Sequence, residues 1–367
     1  MNNRFFIRRN KIRRSLIHRQ FDAILISNPI NVRYLTGFTG NDAYLMIKNS
    51  GDIILSDPRF TIQIEEECSG LETYLRSVNE PLMHAVGKVL GKTTSGTLGI
   101  EAESLTLAKR DRLAQVIPAW QIVTTQNIVE ELRQIKDRNE IQLIRKAIDL
   151  AYRSFRSICA SLSPEQTELD IRNNLEYQMR LHGAEDKSFP SIIGVGSRAA
   201  LPHGSPSLLK LAGQSHLLID WGTIVNGYMS DLTRVLIFQK KDKKLRTVYE
   251  TVLKAQNAAI KAIKPGKNCN EIDAIARAVI SDAGFGKYFD HGLGHSFGLE
   301  IHESPRFVGG DHTILKPGMI LTVEPGIYLK DWGGVRIEDD ILVTKTGCEV
   351  LSDFVPKSFD EMFYSIQ

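Results

Sequence analysis

The alternation of apolar and polar positions predicts a first domain built from short strands and helices. Apolar runs at Tyr44–Ile47 and Ile53–Leu55 lie on either side of the turn-forming residues 49–52, and helical stretches separate them from further strand-like runs. Strands and helices that alternate at this spacing are typical of a compact α/β domain. The pattern predicts this domain over residues 1–127 and a second domain over residues 128–367.

Helical periodicity marks the start of the second domain. Apolar residues recur three or four positions apart between Ile141 and Ile158, which predicts a long helix with one buried stripe. A second helix is predicted to open at a Ser-Pro-Glu-Gln segment, with Ser163 as its N-cap, and to stop at Gly183. A third helix is predicted over residues 244–264, because a Pro-Gly pair follows.

The amino-terminal segment is strongly basic, yet its pattern is helical. Ile7, Ile12, Leu16 and Ile17 predict an amphipathic first helix whose basic face is solvated. The apolar core and small-residue cleavage site of a secretory signal are not found in it. Because the helix runs directly into a strand-like run at residues 21–26, an organellar presequence is the weaker alternative.

Two aspartates flank a predicted hairpin in the second domain. Asn-Gly at residues 226–227 lies between two β-prone runs and indicates a two-residue turn. Counting outward from this turn places Asp231 opposite Gly222, and therefore diagonal to Asp220 on the same face, at a Cα separation of roughly 7 Å. Two carboxylates at that separation can hold adjacent metal ions. For the pair alone, a surface hairpin with two solvated aspartates is the ordinary alternative.

Two further donors follow the hairpin. His295 lies in the glycine-rich segment 290–303, which contains three of the nine histidines of the chain. Glu324 ends a buried-strand run, residues 319–323, just before a chain reversal. These positions favour a shared site over a set of unrelated polar residues.

The last donor lies on a strand with a charged face. Residues 334–343 are predicted to form one strand on which Arg336, Glu338 and Asp340 point to the same side. Such a face would ordinarily contact solvent. Its position after four other candidate ligands favours a role for Glu338 in metal binding instead.

The complete donor set is typical of a dinuclear metal site. It consists of four carboxylates and one imidazole: Asp220, Asp231, His295, Glu324 and Glu338. Carboxylates suit Mn²⁺ and Mg²⁺, whereas imidazole suits Zn²⁺, Co²⁺ and Fe²⁺. Because no thiolate belongs to the set, a closed structural zinc site is disfavoured.

The segments around these donors resemble a known family. IDWGTIVNGYMSDLTR, HGLGHSFGLEIHESP, TVEPGIY and GVRIEDD are similar to the signature of the pita-bread metallopeptidases, which include prolidase, aminopeptidase P, methionine aminopeptidase and creatinase. Upstream, NVRYLTGFTG, DPRF and VEELRQIKDRNEIQLIRKA resemble the amino-terminal domain and linking helix of the aminopeptidase P and prolidase branch. The resemblance implies an α+β protein with a small creatinase-like α/β domain and a pita-bread catalytic domain, in which helices cover a curved, mostly antiparallel sheet.

The resemblance also implies a role for each donor. Two metal ions would be held by the five residues, with Asp231 and Glu338 bridging them. Asp220 would bind one ion, and His295 and Glu324 the other. Glu324 would in addition take the proton of the attacking water.

Residues outside the donor set receive roles as well. The resemblance implies that His203 and His302 stabilise the oxyanion, and that both contact substrate together with His291. Arg336 is interpreted as orienting the bridging carboxylate or holding substrate, with an ordinary surface salt bridge as its alternative. Many relatives have Gly-His-Gly-Ile-Gly here; this chain has Ser-Phe at residues 296–297, which leaves the substrate preference of the adjacent pocket open.

The implied activity is that of a dinuclear Xaa-Pro aminopeptidase, which removes an amino-terminal residue that precedes proline. The expected ion is Mn²⁺, with Co²⁺ or Zn²⁺ as alternatives. A prolidase, which cuts only dipeptides, is the close alternative, while methionine aminopeptidase lacks an amino-terminal domain of this kind. A peptide- or protein-binding member without turnover, and a lyase or other chemistry on the same metals, stay open.

Composition limits the partners of the chain. Its 367 residues are 42% apolar and 24% charged, carry a net charge of +3, and include no apolar run long enough to cross a bilayer. This small charge, without a stacking or groove-reading motif, predicts no nucleic-acid partner. Four scattered cysteines suit reduced thiols. We expect a cytoplasmic enzyme without membrane contact that acts on peptides with proline second, and the resemblance implies a homodimer.

Overall fold

A computed structural model of the protein describes residues 3–91 and 95–365. The chain divides into two units, residues 1–133 and 134–367. Both units combine helices with sheets, which confirms the expected α+β class with two domains. Among the residues described, no helix combines the length and the apolar character that a membrane crossing requires.

The first unit extends past the boundary placed from the sequence. The short helix Glu130–Arg133, which that boundary assigned to the second domain, belongs to the first unit. A buried hydrogen bond of 2.9 Å from the Arg133 guanidinium to the Asn31 side chain ties the helix there. A contact between residues so far apart in the chain leaves no mark on the local pattern.

The first unit carries helices on a mixed sheet. Its helices are α1 (Asn3–Arg19), α2 (Pro29–Thr36), α3 (Thr61–Glu67), α4 (Leu82–Leu90), α5 (Leu107–Val116) and α6 (Glu130–Arg133). Its strands are β1 (Ala23–Ile26), β2 (Tyr44–Lys48), β3 (Gly51–Ser56), β4 (Glu72–Leu75), β5 (Gly96–Glu101) and β6 (Trp120–Thr125). The strand order is β4-β3-β2-β1-β5-β6, with the β1–β2 and β2–β3 pairs antiparallel and the others parallel. This mixed arrangement matches the predicted α/β domain.

One face of this sheet forms the core of the first unit. Leu25, Met46 and Leu98 are buried on neighbouring strands and belong to one apolar cluster. Val86 of α4 and Leu113 of α5 are buried in the same cluster, so these two helices cover that face. The alternation of the strands therefore places their apolar residues against helices rather than solvent.

The first helix agrees with its prediction only in part. Ile12 and Leu16 are buried as expected, but Ile7 and Ile17 are 47% and 62% exposed, so the apolar stripe is narrower than predicted. The basic face is not fully solvated, because Arg9 Nε lies 2.8 Å from a carboxylate oxygen of Asp52 in β3. Ion pairing to the sheet thus accounts for part of the basic character of this segment.

The second unit combines long helices with antiparallel sheets. Its helices are α7 (Arg138–Cys159), α8 (Glu168–Leu181), α9 (Lys243–Ala262) and α10 (Cys269–Asp282). Its strands are β7 (Ile192–Val195), β8 (His216–Trp221), β9 (Ile224–Val225), β10 (Tyr228–Met229), β11 (Leu232–Ile237), β12 (Gly294–Ser296), β13 (Glu303–Phe307), β14 (Ile320–Val323), β15 (Gly326–Leu329), β16 (Gly333–Arg336), β17 (Asp339–Val343) and β18 (Cys348–Val350). The larger sheets have the orders β11-β8-β7 and β13-β12-β14-β17-β18, and β9–β10 and β15–β16 form separate ribbons. The paired strands of this unit are antiparallel, as expected.

Helix α7 has the buried stripe that its periodicity predicts. Ile144 and Phe155 are buried, and the Phe155 ring stacks on Trp221 of β8 with ring centroids 4.5 Å apart. The Trp221 indole N–H donates a hydrogen bond of 2.9 Å to the Ala151 carbonyl. Because side chains alternate along β8, the residue before Trp221, Asp220, points to the face that α7 does not cover.

The second predicted helix begins later than expected. Helix α8 starts at Glu168, with Thr167 rather than Ser163 as its N-cap. The carbonyls of Pro164 and Gln166 accept hydrogen bonds from backbone N–H groups of the segment 211–212. These hydrogen bonds hold the Ser-Pro-Glu-Gln segment as a turn, so the prediction that the helix starts there was wrong. The end of α8 and the extent of α9 agree with the predictions.

Residues 334–343 do not form the single strand that was predicted. They are divided between β16 and β17, which belong to different sheets. The break falls at Glu338, whose N–H donates to the Thr233 carbonyl at 3.2 Å, so the chain changes pairing partner there. Arg336 and Asp340 are both buried, and the charged face does not contact solvent.

The predicted register of the hairpin is confirmed. Val225 pairs with Tyr228 beside the turn, and Asp220 pairs with Thr233 farther along. Both pairs follow one continuous register, which places Asp231 opposite Gly222.

Gly222→Ala should destabilise the second unit. A Cβ at this position would lie 1.8 Å from the Ser230 carbonyl oxygen, and the hairpin holds the backbone on both sides. We expect a loss at the upper end of the ~1–3 kcal/mol typical of overpacking, measured as a lower melting temperature in calorimetry.

The matched control is Gly309→Ala, because a Cβ there meets nothing within 4 Å. This variant should stay within about 0.5 kcal/mol of the wild type. Equal melting temperatures for the two variants would contradict the close approach of the two strands.

Candidate metal centre

All the predicted donors line one cavity of the second unit, which has a volume of about 550 Å³. These are Asp220, Asp231, His295, Glu324 and Glu338. They come from β8, from the residue before β11, from β12, from the end of β14 and from the break between β16 and β17. Strand ends and a change of sheet partner therefore bring together residues that span more than a hundred positions of the chain.

The tightest part of the cluster contains one imidazole and two carboxylates. Ligand atoms of Asp231, His295 and Glu338 lie within 4.8 Å of one another. His295 Nε2 is 3.6 Å from Asp231 Oδ2 and 3.4 Å from Glu324 Oε1. Asp231, His295 and Glu338 could therefore hold one divalent cation together, and Glu324 lies beside His295.

The orientation of the His295 ring suits a metal ligand. Its Nδ1 lies 3.2 Å from the Ser296 carbonyl oxygen, which can only accept a hydrogen bond. The proton of the neutral ring is therefore assigned to Nδ1, and Nε2 presents its lone pair to the carboxylates. Burial, and then the neighbouring His302, lower the pKa of His295 to about 3, so the ring is neutral.

The carboxylates are crowded in a way that disfavours their charged forms. Burial raises the pKa of Asp231 well above its usual value, and the charges of Glu338 and Asp220 raise it further. Burial and the Glu324 carboxylate do the same to the pKa of Glu338. Burial raises the pKa of Glu324 to about 8. Cations between these groups would offset both the desolvation and the mutual repulsion.

Asp220 offers a specific test of whether these residues fit metal ions. Its Oδ1 atom is buried and has no hydrogen-bond partner among the described residues. A buried carboxylate oxygen without a partner is costly, and coordination to a cation would satisfy it. The donor chemistry and this oxygen together fit divalent ions.

Arg336 lies inside the centre rather than on the surface. Its Nη2 is 2.5 Å from Asp220 Oδ2, and its Nε donates to the Thr233 hydroxyl at 3.1 Å. The same hydroxyl donates to Glu338 Oε2 at 2.6 Å. Arg336 therefore contacts Asp220 directly and the bridging candidate Glu338 only through Thr233, and the surface salt bridge considered as its alternative is not found.

Some residues of the centre were not identified from the sequence. Thr233 of β11 is two positions after Asp231, which directly precedes that strand, so the alternation of extended chain could have placed both on the same face. The Asp340 carboxylate accepts the Asp231 N–H at 3.3 Å and had been placed on the charged face without a role. Tyr328, which accepts a hydrogen bond of 2.8 Å from Arg336, gave no local signal because its position depends on the β15–β16 pairing.

His291 lines the cavity, but both of its ring nitrogens have partners. Nδ1 lies 2.8 Å from the Gly292 carbonyl and Nε2 lies 3.0 Å from the Tyr328 hydroxyl. Burial, and then the charge of Arg336, lower its pKa to about 4. Since the carbonyl requires a proton on Nδ1, Nε2 accepts from Tyr328, and the ring extends the hydrogen-bonded chain that starts at Asp220.

His203 and His302 occupy the open side of the cavity. Both are exposed, and the His302 ring packs edge-on against His295 with centroids 4.5 Å apart and an interplanar angle of 73°. Partial burial of the ring, and then the charges of Arg306 and His203, lower the pKa of His302. Both rings therefore line the cavity that contains the predicted ligands.

Comparison with known proteins agrees with this geometry. Residues 142–345 match the profile of metallopeptidase family M24, and residues 8–135 match that of the creatinase/prolidase N-terminal domain. The chain belongs to metallopeptidase family M24. It is therefore a metallo-exopeptidase of the pita-bread fold, and family membership implies divalent metal ions at this centre.

Several relatives of the chain carry more specific names. The Xaa-Pro dipeptidase of Pyrococcus furiosus is 35% identical over 345 residues, which are 94% of this chain and 97% of that protein. The solved Xaa-Pro dipeptidase from Bacillus anthracis superposes with a TM-score of 0.92 at 35% identity and covers 96% of this chain and 99% of its own. The X-Pro aminopeptidase from Thermotoga maritima gives a TM-score of 0.87 at 31% identity, with 94% and 98% covered.

Glu338→Ala should remove most of the stabilisation that added metal gives this M24 peptidase. Ions that bind only the folded chain raise its stability, by about 2.7 kcal/mol at a hundredfold excess over the dissociation constant. The readout is the rise in melting temperature when Mn²⁺ is added to metal-stripped protein, which requires no activity.

The matched control is Glu349→Ala, because that carboxylate lies on β18 of the same unit and is 46% exposed. It should retain the full metal-dependent rise. An undiminished rise in Glu338→Ala would remove Glu338 from the ligand set.

Proposed function

We propose that this M24 peptidase is a dinuclear Xaa-Pro dipeptidase, which hydrolyses the bond between a first residue and proline. The observation that carries the proposal is the collection of four carboxylates and one imidazole in a single cavity of the catalytic unit. The Pyrococcus furiosus and Bacillus anthracis relatives bear the name Xaa-Pro dipeptidase and cover nearly the whole chain. Their names, and not the donor set, favour dipeptides as substrates.

A free cation at the cavity supports the preference for dipeptides. Arg306 lines the cavity, is exposed, and makes no side-chain hydrogen bond or ion pair within the described part of the chain. The carboxylate of a dipeptide lies one residue beyond the scissile bond, and a guanidinium can bind it in a bidentate manner. A longer peptide presents a neutral amide at that place instead.

Aminopeptidase activity on longer peptides is the second candidate. It was the activity expected from the sequence, and the Thermotoga maritima relative is named an X-Pro aminopeptidase. Its TM-score of 0.87 and identity of 31% are only slightly lower than the 0.92 and 35% of the Bacillus anthracis dipeptidase, so the relatives alone do not separate the two substrate lengths.

Different residues of the cavity serve metal binding, proton transfer and stabilisation of the oxyanion. The five donors would hold two divalent ions, which would lower the pKa of a bound water and polarise the carbonyl that the water attacks. The Glu324 carboxylate, oriented by the Thr322 hydroxyl at 3.1 Å, accepts the proton of that water and passes it to the leaving proline nitrogen. His302 and His203 donate hydrogen bonds to the oxyanion that develops on the carbonyl oxygen.

Some expectations accompany this proposal and stay predictions. Mn²⁺ is the expected ion, with Co²⁺ or Zn²⁺ as alternatives, because carboxylate oxygens dominate the donor set. A homodimer and a cytoplasmic location also stay predictions.

Metal-stripped enzyme supplied with Mn²⁺ should hydrolyse Ala-Pro faster than Ala-Pro-Ala, and it should not cleave Ala-Ala. The proposed carboxylate contact of Arg306 favours the dipeptide, and the family resemblance restricts the second residue to proline. Product formation is followed by chromatography, with and without the metal.

Arg306→Met sharpens this comparison, since it should raise the KM for Ala-Pro and leave that for Ala-Pro-Ala nearly unchanged. Faster cleavage of Ala-Pro-Ala would favour the aminopeptidase. No metal-dependent cleavage of either proline peptide would overturn both candidates.

His302→Ala should spare the metal ions and slow turnover on the order of 10²-fold, because it removes an oxyanion donor without removing a ligand. Turnover and metal content are measured on the same sample. The control His312→Ala changes an exposed histidine that does not line the cavity, and it should leave both quantities unchanged. Loss of metal in His302→Ala would make this residue a ligand instead.

A further inference from the structure

A buried lysine lies behind the two histidines that pack together in the cavity. The Lys136 side chain is only 1% exposed, and its Nζ lies 3.0 Å from the Ser296 hydroxyl and 3.1 Å from Glu303 Oε2. Glu303 is 6% exposed. A charged pair removed from water to this extent is costly unless its geometry is good, and leaving one partner alone is costlier still.

The pair holds the loop that connects the two histidines. The second carboxylate oxygen of Glu303, Oε1, accepts backbone N–H groups of Leu299 at 3.1 Å and of Glu300 at 3.3 Å. Gly298 packs directly on the pair, since a Cβ there would lie 3.0 Å from Glu303 Oε1 and 3.2 Å from Lys136 Cε. The segment 298–303 is therefore closed around the ion pair.

The positions of the contacted residues connect the pair to the metal centre. Ser296 directly follows His295, and Glu303 directly follows His302. Lys136 thus contacts the residue after the candidate metal ligand His295 and the residue after the candidate oxyanion donor His302. It does not itself belong to the lining of the cavity, so it has no direct access to substrate.

Lys136 is fixed from the other side as well. Its backbone N–H donates to the Gly318 carbonyl at 2.9 Å, and the Gly318 N–H donates to the Val343 carbonyl at 2.9 Å. Gly318 lies two residues before β14, the strand that Glu324 directly follows. The lysine is therefore anchored to the sheet through its backbone and to the histidine loop through its side chain.

We propose that the Lys136–Glu303 ion pair positions His302, by fixing the loop between β12 and β13 so that the His302 ring packs against His295 and faces the cavity. Lys136 acts through His302 and is a positioning residue. The kinetic consequence rests on the proposed function of His302, whereas the placement of the ring does not.

The first test observes the ring itself. Full-length protein loaded with Zn²⁺, which is diamagnetic, is labelled with ¹³C-histidine, and the His302 ring signal is assigned by its loss in His302→Ala. Lys136→Met should shift or broaden this signal, because the ring leaves its contact with His295. Lys136→Arg keeps the charge and should restore most of the wild-type spectrum.

The matched control is Lys267→Met, which breaks an exposed Lys–Glu pair of the same unit and should leave the His302 signal in place. If Lys136→Met does not fold, Lys136→Met/Glu303→Gln replaces it, since this variant leaves no unpaired buried charge. A wild-type His302 signal in either variant overturns the proposal, whether or not the protein is active.

The second test measures coupling in kinetics. Lys136→Met should lower kcat for the Xaa-Pro substrate roughly 10- to 100-fold, as expected for a residue that orients a functional side chain, with a smaller change in KM. In the His302→Ala background the same substitution should cost less than about 2-fold, because the residue through which it acts is gone.

The two tests separate failure of this inference from failure of the proposed function. Equal losses of kcat in both backgrounds would mean that Lys136 acts independently of His302, and the positioning role would be rejected. If the wild type cleaves no Xaa-Pro peptide, the proposed function fails, and the histidine spectra still decide the positioning role.

Discussion

The rest of the catalytic unit depends on one unfavourable arrangement, the burial of four carboxylates around a single imidazole. Burial and mutual repulsion raise the pKa values of Asp231, Glu324 and Glu338, and one oxygen of Asp220 has no hydrogen-bond partner within the described residues. Such a cluster persists in its charged form if the surrounding structure holds it and if cations compensate its charge. The fold supplies the first condition, and the metal ions implied by the M24 family supply the second.

The structure holds the cluster by pairing each donor with a rigid backbone element. Asp220 and Asp231 are fixed by the register of one hairpin, and Glu338 is placed where the chain leaves one sheet for another. Arg234, fully buried, donates to the Glu338 carbonyl and pairs with Asp339 at 2.8 Å, so the change of sheet is itself stabilised. Buried polar groups around the candidate ligands thus hold these ligands in place, as is usual for metal sites.

Local patterns were sufficient to predict the parts of the site that local chemistry determines. The Asn-Gly turn fixes the hairpin register, and strand alternation then places Asp220 and Asp231 on one face. The buried stripe of α7 and the strand that directly precedes Glu324 follow from the pattern of apolar residues in the same way. These features depend on residues within a few positions of each other.

The features that were missed depend on partners far away in the chain. The predicted start of α8 was wrong because backbone N–H groups of the segment 211–212 donate hydrogen bonds to carbonyls that precede this helix. Residues 334–343 form two strands because Thr233 pairs with Glu338. Lys136 and Ser296 are 160 positions apart, so no local pattern could join them. The assignment of site roles to individual residues came from the family resemblance and not from periodicity.

Anomalous X-ray diffraction from crystals grown with Mn²⁺ would show whether the five donors hold two ions, because it locates the ions without reference to activity. We expect two peaks in the cavity, with the Asp231 and Glu338 carboxylates each in contact with both ions. Asp220 should contact one of the ions, and His295 and Glu324 the other. A single peak, or two peaks of which neither contacts Glu338, would contradict a dinuclear centre built on these five residues.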